Sequence, residues 1–165
     1  MTHKFRQAGW ELSVVLCYGH GRSASAGVAL AVREGFPIAP ATFDMVGVRL
    51  PFGPRMRFWR ASNLFIGNFI IVVLYLISWE IPKLSEGNLA LLDSVAAALN
   101  TLGMPFVIMA DWNMSPVELK AAPFLRTIGG IVASPGSPTC FASAMGPTEI
   151  DFMVYSPFSF AWAYS

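Results

Sequence analysis

The apolar positions of this chain fall into short blocks separated by turn residues, and the blocks change period partway along. Runs rich in β-branched and aromatic residues over Leu12–Tyr18, Gly27–Val32, Thr42–Leu50, Met56–Phe65 and Phe69–Ser78 predict strands. The segment Gly19 to Ser25 joins the first two, Pro51-Phe52-Gly53-Pro54 turns between the third and fourth, and Gly67-Asn68 precedes the fifth. The period then lengthens. Leu89, Leu92, Val95, Leu99 and Leu102 recur at helical spacing and predict a helix over Glu86–Leu102. Ser85 is its expected N-cap, Leu84 and Leu89 its hydrophobic staple, and Gly103 its end.

That helix feeds a short apolar run, Phe106–Met109, which reads as a strand buried on both faces. A polar cluster, Asp111-Trp112-Asn113, follows at once, and Ser115-Pro116-Val117-Glu118 supplies a capping box for a helix over Pro116–Ala122, stopped by Pro123. After Gly129-Gly130, the runs Ile131–Ala133, Thr139–Ala142 and Glu149–Tyr155 predict antiparallel strands, and Phe158–Ala163 the start of another. The order predicts an α/β (α+β) fold, a mixed sheet layered with flanking helices. No repeat or low-complexity linker divides it, so residues 1–165 read as a single domain.

Composition narrows the class. Hydrophobic residues make up 55% of the 165 residues and charged ones 13%, against about 25% charged in ordinary soluble domains. The apolar stretch Phe65–Trp79 raises a membrane span, but its clean part, Phe69–Ile77, is far shorter than the roughly 20 residues a bilayer requires. The N-terminus, with His3, Lys4, Arg6 and Glu11, lacks the apolar core of a signal peptide. Cys17 and Cys140 indicate no disulfide framework, so an intracellular, reducing location is the expectation. Cys17 and His20 have the spacing of half a zinc site without a second pair, which makes a buried thiol and a loop histidine the better reading. Net charge is +1, which by itself gives nucleic-acid binding little support. Arg49, Arg55, Arg57 and Arg60 cluster around one turn. Arg55 and Arg57 either line a groove and meet phosphates or are solvated hairpin charges, and the second reading is favoured.

The candidate chemistry sits in two places. Asp111 and Asn113 put a metal-binding or proton-accepting oxygen beside a carboxamide at the carboxyl end of a strand, although Asp-x-Asn is also ordinary turn chemistry. Asp151 interrupts an apolar strand between Ile150 and Phe152, a placement that is costly unless the carboxylate meets a cation, a histidine or several donors.

Four segments, in order, resemble the endonuclease/exonuclease/phosphatase family, which includes deoxyribonuclease I and the retrotransposon endonucleases. Residues Ser25-Ala26-Gly27-Val28-Ala29-Leu30-Ala31-Val32-Arg33 resemble its "GGVAI" strand, and Val72-Val73-Leu74-Tyr75 its strand ending in Tyr or His beside the substrate. Asp111-Trp112-Asn113 resembles its "GDxN" motif with Ala110 for the usual Gly, and Glu149-Ile150-Asp151-Phe152 its "xxIDYxxxS" strand, closed here by Ser156.

The resemblance implies a deoxyribonuclease I-like layered sandwich and magnesium-dependent phosphodiester hydrolysis, with Mn2+ as an alternative ion and nucleic acid, DNA before RNA, as the partner. It implies that Asp111 orients or deprotonates the attacking water or binds the metal. Asn113 would hold a non-bridging phosphate oxygen, Tyr75 would contribute a hydroxyl, and Asp151 would orient a catalytic histidine. Thr139 would stand on the substrate side, unless it is an ordinary strand residue. The family's early metal-binding Glu and closing Ser-Asp-His have no counterpart here, since Glu11 begins a strand and residues 158–165 contain neither Asp nor His. The expectation is therefore a domain incomplete at both ends, either part of a nuclease or a catalytically dead remnant of one.

Overall fold

A computed structural model describes residues 6–16, 27–41, 55–63, 67–78, 83–141 and 146–157. Their elements run β1 (Trp10–Leu16), β2 (Gly27–Arg33), β3 (Ile38–Pro40), β4 (Met56–Asn63), β5 (Gly67–Tyr75), α1 (Glu86–Leu102), β6 (Phe106–Asp111), α2 (Pro116–Ala121), α3 (Pro123–Ile128), β7 (Ile131–Ala133) and β8 (Asp151–Tyr155). Strands β1 and β2 pair antiparallel as a two-stranded sheet, and the other six form a mixed sheet in the order β3-β4-β5-β6-β8-β7.

The parallel β5–β6 pair requires a crossover, and α1 supplies it. Strand β8 then enters antiparallel between β6 and β7. Alternation along the strands divides the apolar residues between two layers. On one face Ile70, Val72 and Leu74 of β5, Phe106 and Ile108 of β6, and Phe152 and Val154 of β8 pack with Leu91, Leu92, Val95 and Leu99 of α1. On the other face Trp59, Ala61 and Ile71 pack with Leu30 of β2. Fully burying each such side chain contributes about 1.5–3 kcal/mol. That outweighs a terminal cap, and Ser85 at the start of α1 in fact makes no side-chain cap bond. Gly103 closes α1 as predicted, with a left-handed φ of 57° and its N–H bonded to the Leu99 carbonyl.

Several expectations are corrected. The buried stripe of α1 runs through Asn88, Leu91, Leu92, Val95 and Leu99, so Leu89 lies one position off it and is 39% exposed. The helix from Pro116 ends before Pro123 as expected, with Ala122 extended as a residue before proline prefers, but Pro123 also opens a helix that was not anticipated, α3. Strand β3 was not anticipated. Over residues 139–141, the described part of the expected Thr139–Ala142 strand, there is a single bridge between Cys140 and Thr148. In β6, Phe106 and Ile108 are buried while Val107 and Met109 are only half-buried, because the β1–β2 layer reaches over β4 and β5. The apolar stretch suggestive of a membrane span contains β5, and no helix among the described residues is long and apolar enough to cross a membrane. The predicted strands Thr42–Leu50 and Phe158–Ala163, with Cys17 and His20, lie outside the described residues.

Candidate active site

Register alone brings three of the expected residues together. Tyr75 is the β5 partner of Asp111, and Asp111 is the β6 partner of Asp151 on β8, so the three stand in one row across adjacent strands. Cross-strand partners share a face. The neighbouring row, Leu74, Ala110 and Phe152, belongs to the helix-side core, which turns Tyr75, Asp111 and Asp151 toward the β1–β2 layer. There they line a cleft of about 470 Å³ with Val73, Met109 and Met153, closed on the far side by residues 27–29 of β2.

The Asp111 to Ser115 loop is pinned at both ends. Its entry is extended by a bond from the Trp112 N–H to the Ile150 carbonyl, 2.8 Å. The Trp112 indole is fully buried, donates through Nε1 to the Phe152 carbonyl at 2.9 Å and stacks on the Phe152 ring at 5.3 Å. Its exit carries the predicted capping box. The Ser115 hydroxyl accepts the Glu118 N–H, and the Glu118 carboxylate accepts the Ser115 N–H at 2.7 Å. Between these anchors Asn113 adopts a left-handed φ of 50°, a conformation Asn tolerates better than most residues. Its N–H donates to Asp111 Oδ1 at 3.1 Å and its Nδ2 to the Leu76 carbonyl at 2.9 Å. Asp-x-Asn thus makes the local turn bond, and its carboxamide ties the loop to the segment that follows β5.

Burial pushes the Asp111 carboxyl above its ordinary 3.8, and the neighbouring Asp151 charge pushes the same way, against the Asn113 N–H and the Lys83 ammonium, which pull it down. Lys83, which the sequence did not single out, donates through Nζ to the Ser78 carbonyl on the segment leading from β5. Nothing in the local pattern marks it, since only the fold returns the start of α1 to the end of β6.

The remaining candidates divide. Thr139 Oγ1 accepts the N–H groups of Ile150 and Asp151, at 3.1 and 3.0 Å, and so fixes the start of β8 behind the exposed Asp151. Arg55 is 1% exposed rather than solvated. Its guanidinium lies 5.1 Å from the centroid of the Tyr75 ring, and its carbonyl accepts the Tyr75 N–H at 2.8 Å. Arg57 is half-exposed and partners Val73, two rows from the Tyr75–Asp111–Asp151 row. Glu149 is turned away, its carboxylate accepting the Gly136 N–H at 3.1 Å and the Ser134 hydroxyl.

Among the described residues no group of three or more His, Cys, Asp or Glu side chains is placed to hold a metal ion. The Asp111–Asp151 pair is two carboxylates whose repulsion Lys83 offsets only in part at Asp111, a donor set that suits Mg2+, which keeps several waters and is commonly held by one or two carboxylates plus substrate phosphate.

No family model matches the sequence, and no curated protein matches it either. Solved structures do match in fold. The human Nocturnin catalytic domain is 14% identical with a TM-score of 0.63, covering 94% of this chain and 63% of its own. An endonuclease/exonuclease/phosphatase family protein from Bacteroides thetaiotaomicron is 13% identical at 0.61, covering 94% and 65%. ANGEL2, a 2′,3′-cyclic phosphatase, is 11% identical at 0.60, covering 92% and 63%. The chain thus spans just under two thirds of the length of these structures. With nearly all of its length superposed on them, the chain has the deoxyribonuclease I-like fold of the endonuclease/exonuclease/phosphatase proteins.

Proposed function

We propose that the protein this chain represents hydrolyses phosphodiesters with a divalent cation, and that it is an endonuclease acting on nucleic acid, DNA before RNA, of the retrotransposon-encoded kind. The observation that carries the reading is the row Tyr75–Asp111–Asp151 at the carboxyl ends of β5 and β6, with the Asn113 N–H bonded to Asp111. Solved proteins of this fold include phosphoester hydrolases, among them ANGEL2 captured with an adenosine-2′,3′-vanadate.

Hydrolysis of a phosphodiester needs water activated on one side of phosphorus and donors for the charge that grows on the phosphate oxygens. Asp111 is suited to accept the proton of the attacking water, because burial and Asp151 raise its proton affinity. The Asn113 carboxamide spends one Nδ2 hydrogen on Leu76 and keeps the other for a non-bridging phosphate oxygen, to which the Tyr75 hydroxyl also donates. Asp151, exposed at the start of β8, is placed to orient a histidine by accepting its ring N–H. Asp111, with Asp151 beside it, would hold Mg2+ or Mn2+, which would supply Lewis-acid stabilisation of the phosphate charge. Arg57 and Lys83 are the cations best placed to meet the flanking backbone phosphates.

The test is turnover of duplex DNA, RNA and a phosphomonoester by the intact protein, with Mg2+ and with chelator. Strand cleavage that requires the ion is expected. Folded protein that cleaves neither nucleic acid would overturn the reading and leave the catalytically dead remnant in its place.

A further inference from the structure

Asn88 is a fully buried polar residue inside the apolar stripe of α1, at the position where the 3.6-residue pattern calls for a hydrophobe. A buried carboxamide is tolerated only when its donors and acceptor are met, and here three main-chain groups meet them. Asn88 Oδ1 accepts the Ile77 N–H at 2.7 Å, while Nδ2 donates to the Ile77 carbonyl at 3.1 Å and to the Lys83 carbonyl at 2.8 Å. One side chain thereby grips both described ends of the segment that leads from β5 into α1.

The Ile77 N–H belongs to the same peptide unit as the Leu76 carbonyl, and that carbonyl is the acceptor for Asn113 Nδ2 at 2.9 Å. A peptide unit is planar, with its N–H and C=O pointing in opposite directions. Fixing the N–H on Asn88 therefore fixes the direction of the C=O toward Asn113. The Leu76 N–H, on the preceding peptide, donates to the Asp111 carbonyl at 3.0 Å, so the segment is tied to β6 as well.

We propose that Asn88 is a positioning residue for the cleft: through the single rigid peptide between Leu76 and Ile77 it sets which way the Asn113 carboxamide faces. An Asn side chain has nearly isosteric O and NH2 ends, and a carbonyl at the Leu76 position selects the orientation in which NH2 faces it. That leaves the second N–H of the same nitrogen, rather than the oxygen, to face a phosphate. The catalytic consequence rests on the reading of Asn113 given above, whereas the positional claim does not.

Nuclear magnetic resonance of the 15N,13C-labelled chain tests it without turnover. In the unsubstituted protein, scalar couplings across hydrogen bonds should connect the Asn113 side-chain nitrogen to the Leu76 carbonyl and the Ile77 amide to the Asn88 side chain, with the Asn113 pair identified by its loss in Asn113→Asp. In Asn88→Ala the Asn113 NH2 signals should shift and exchange faster with solvent while the Val95 and Leu99 amides of α1 hold their positions. Asn88→Asp retains an acceptor for the Ile77 N–H but, when ionised, turns an oxygen toward the Ile77 and Lys83 carbonyls, so it should restore the Asn113 signature at low pH, where the protonated carboxyl can donate to one of them. It also serves if the alanine variant does not fold. Absence of either coupling, or an unmoved Asn113 pair in a folded Asn88→Ala protein, would overturn the proposal whether or not the protein proves to be a hydrolase.

Discussion

Asp111 and Asp151 are direct cross-strand partners on β6 and β8, two carboxylates facing one another in a single row of the sheet. Like charges opposed in this way work against folding. At Asp111 burial adds to the repulsion, and the folded protein holds this proton more tightly than the unfolded chain does. The folded state therefore binds more protons above the ordinary value of 3.8, so stability falls as pH rises through the interval between that value and the raised one. Asp111→Asn removes the titrating group and keeps an oxygen for the Asn113 N–H. Its thermal midpoint should exceed that of the unsubstituted chain at neutral pH, and the two should converge below the ordinary carboxylate range. Melting curves across that range decide it, and a variant less stable at neutral pH would contradict the account.

The same repulsion gives a prediction for ions. Millimolar Mg2+ should raise the midpoint of the unsubstituted chain through preferential binding to the folded state. The rise should be lost in Asp111→Asn and persist with Mn2+. Sodium chloride at matched ionic strength serves as the control, and an equal rise with it would mean general screening rather than a site.

Trp112, fully buried in the loop between β6 and α2, has no role in the proposed chemistry. Replacing it by Ala should cost about 3–5 kcal/mol in denaturant unfolding, the range for deleting a buried aromatic. Trp112→Phe should cost less, chiefly the bond to the Phe152 carbonyl, roughly 1–3 kcal/mol if that buried acceptor is left unmet.

Thr139 reads from the sequence either as a substrate-side residue or as an ordinary strand residue, and its hydroxyl oxygen receives two main-chain N–H groups at the start of β8. Thr139→Ser should leave stability nearly unchanged. Thr139→Val, which keeps shape but loses the acceptor, should cost on the order of 1–3 kcal/mol in urea unfolding. A valine variant as stable as the parent would return Thr139 to the cleft as a candidate phosphate ligand.

Much of the site was legible because it obeys local rules. The run from Phe106 into Asp111, Asn113 and the Ser115–Glu118 box specifies strand, turn and helix start within about three turns' length of chain, and the structure keeps each of them. What the sequence withheld is non-local. The alignment of Tyr75, Asp111 and Asp151 depends on the register of two strand pairs, which no single segment encodes. Arg55 looked solvated because its sequence neighbours are turn residues, yet its guanidinium lies over the Tyr75 ring. Leu89 and Leu91 are equally apolar, and only packing against the sheet decides which is buried. Asn88 was hidden for the opposite reason, since a polar residue in a helix is unremarkable until its apolar neighbours are known to face the core.

The central claim is that Asp111 does the chemistry in this cleft, and the most direct measurement compares Mg2+-dependent DNA cleavage by the intact protein with that of Asp111→Ala. Circular dichroism and the melting transition should first show the variant folded. The account predicts that cleavage then falls by about 100-fold or more, the scale associated with losing a positioned general base. Undiminished cleavage by a folded Asp111→Ala protein would contradict it.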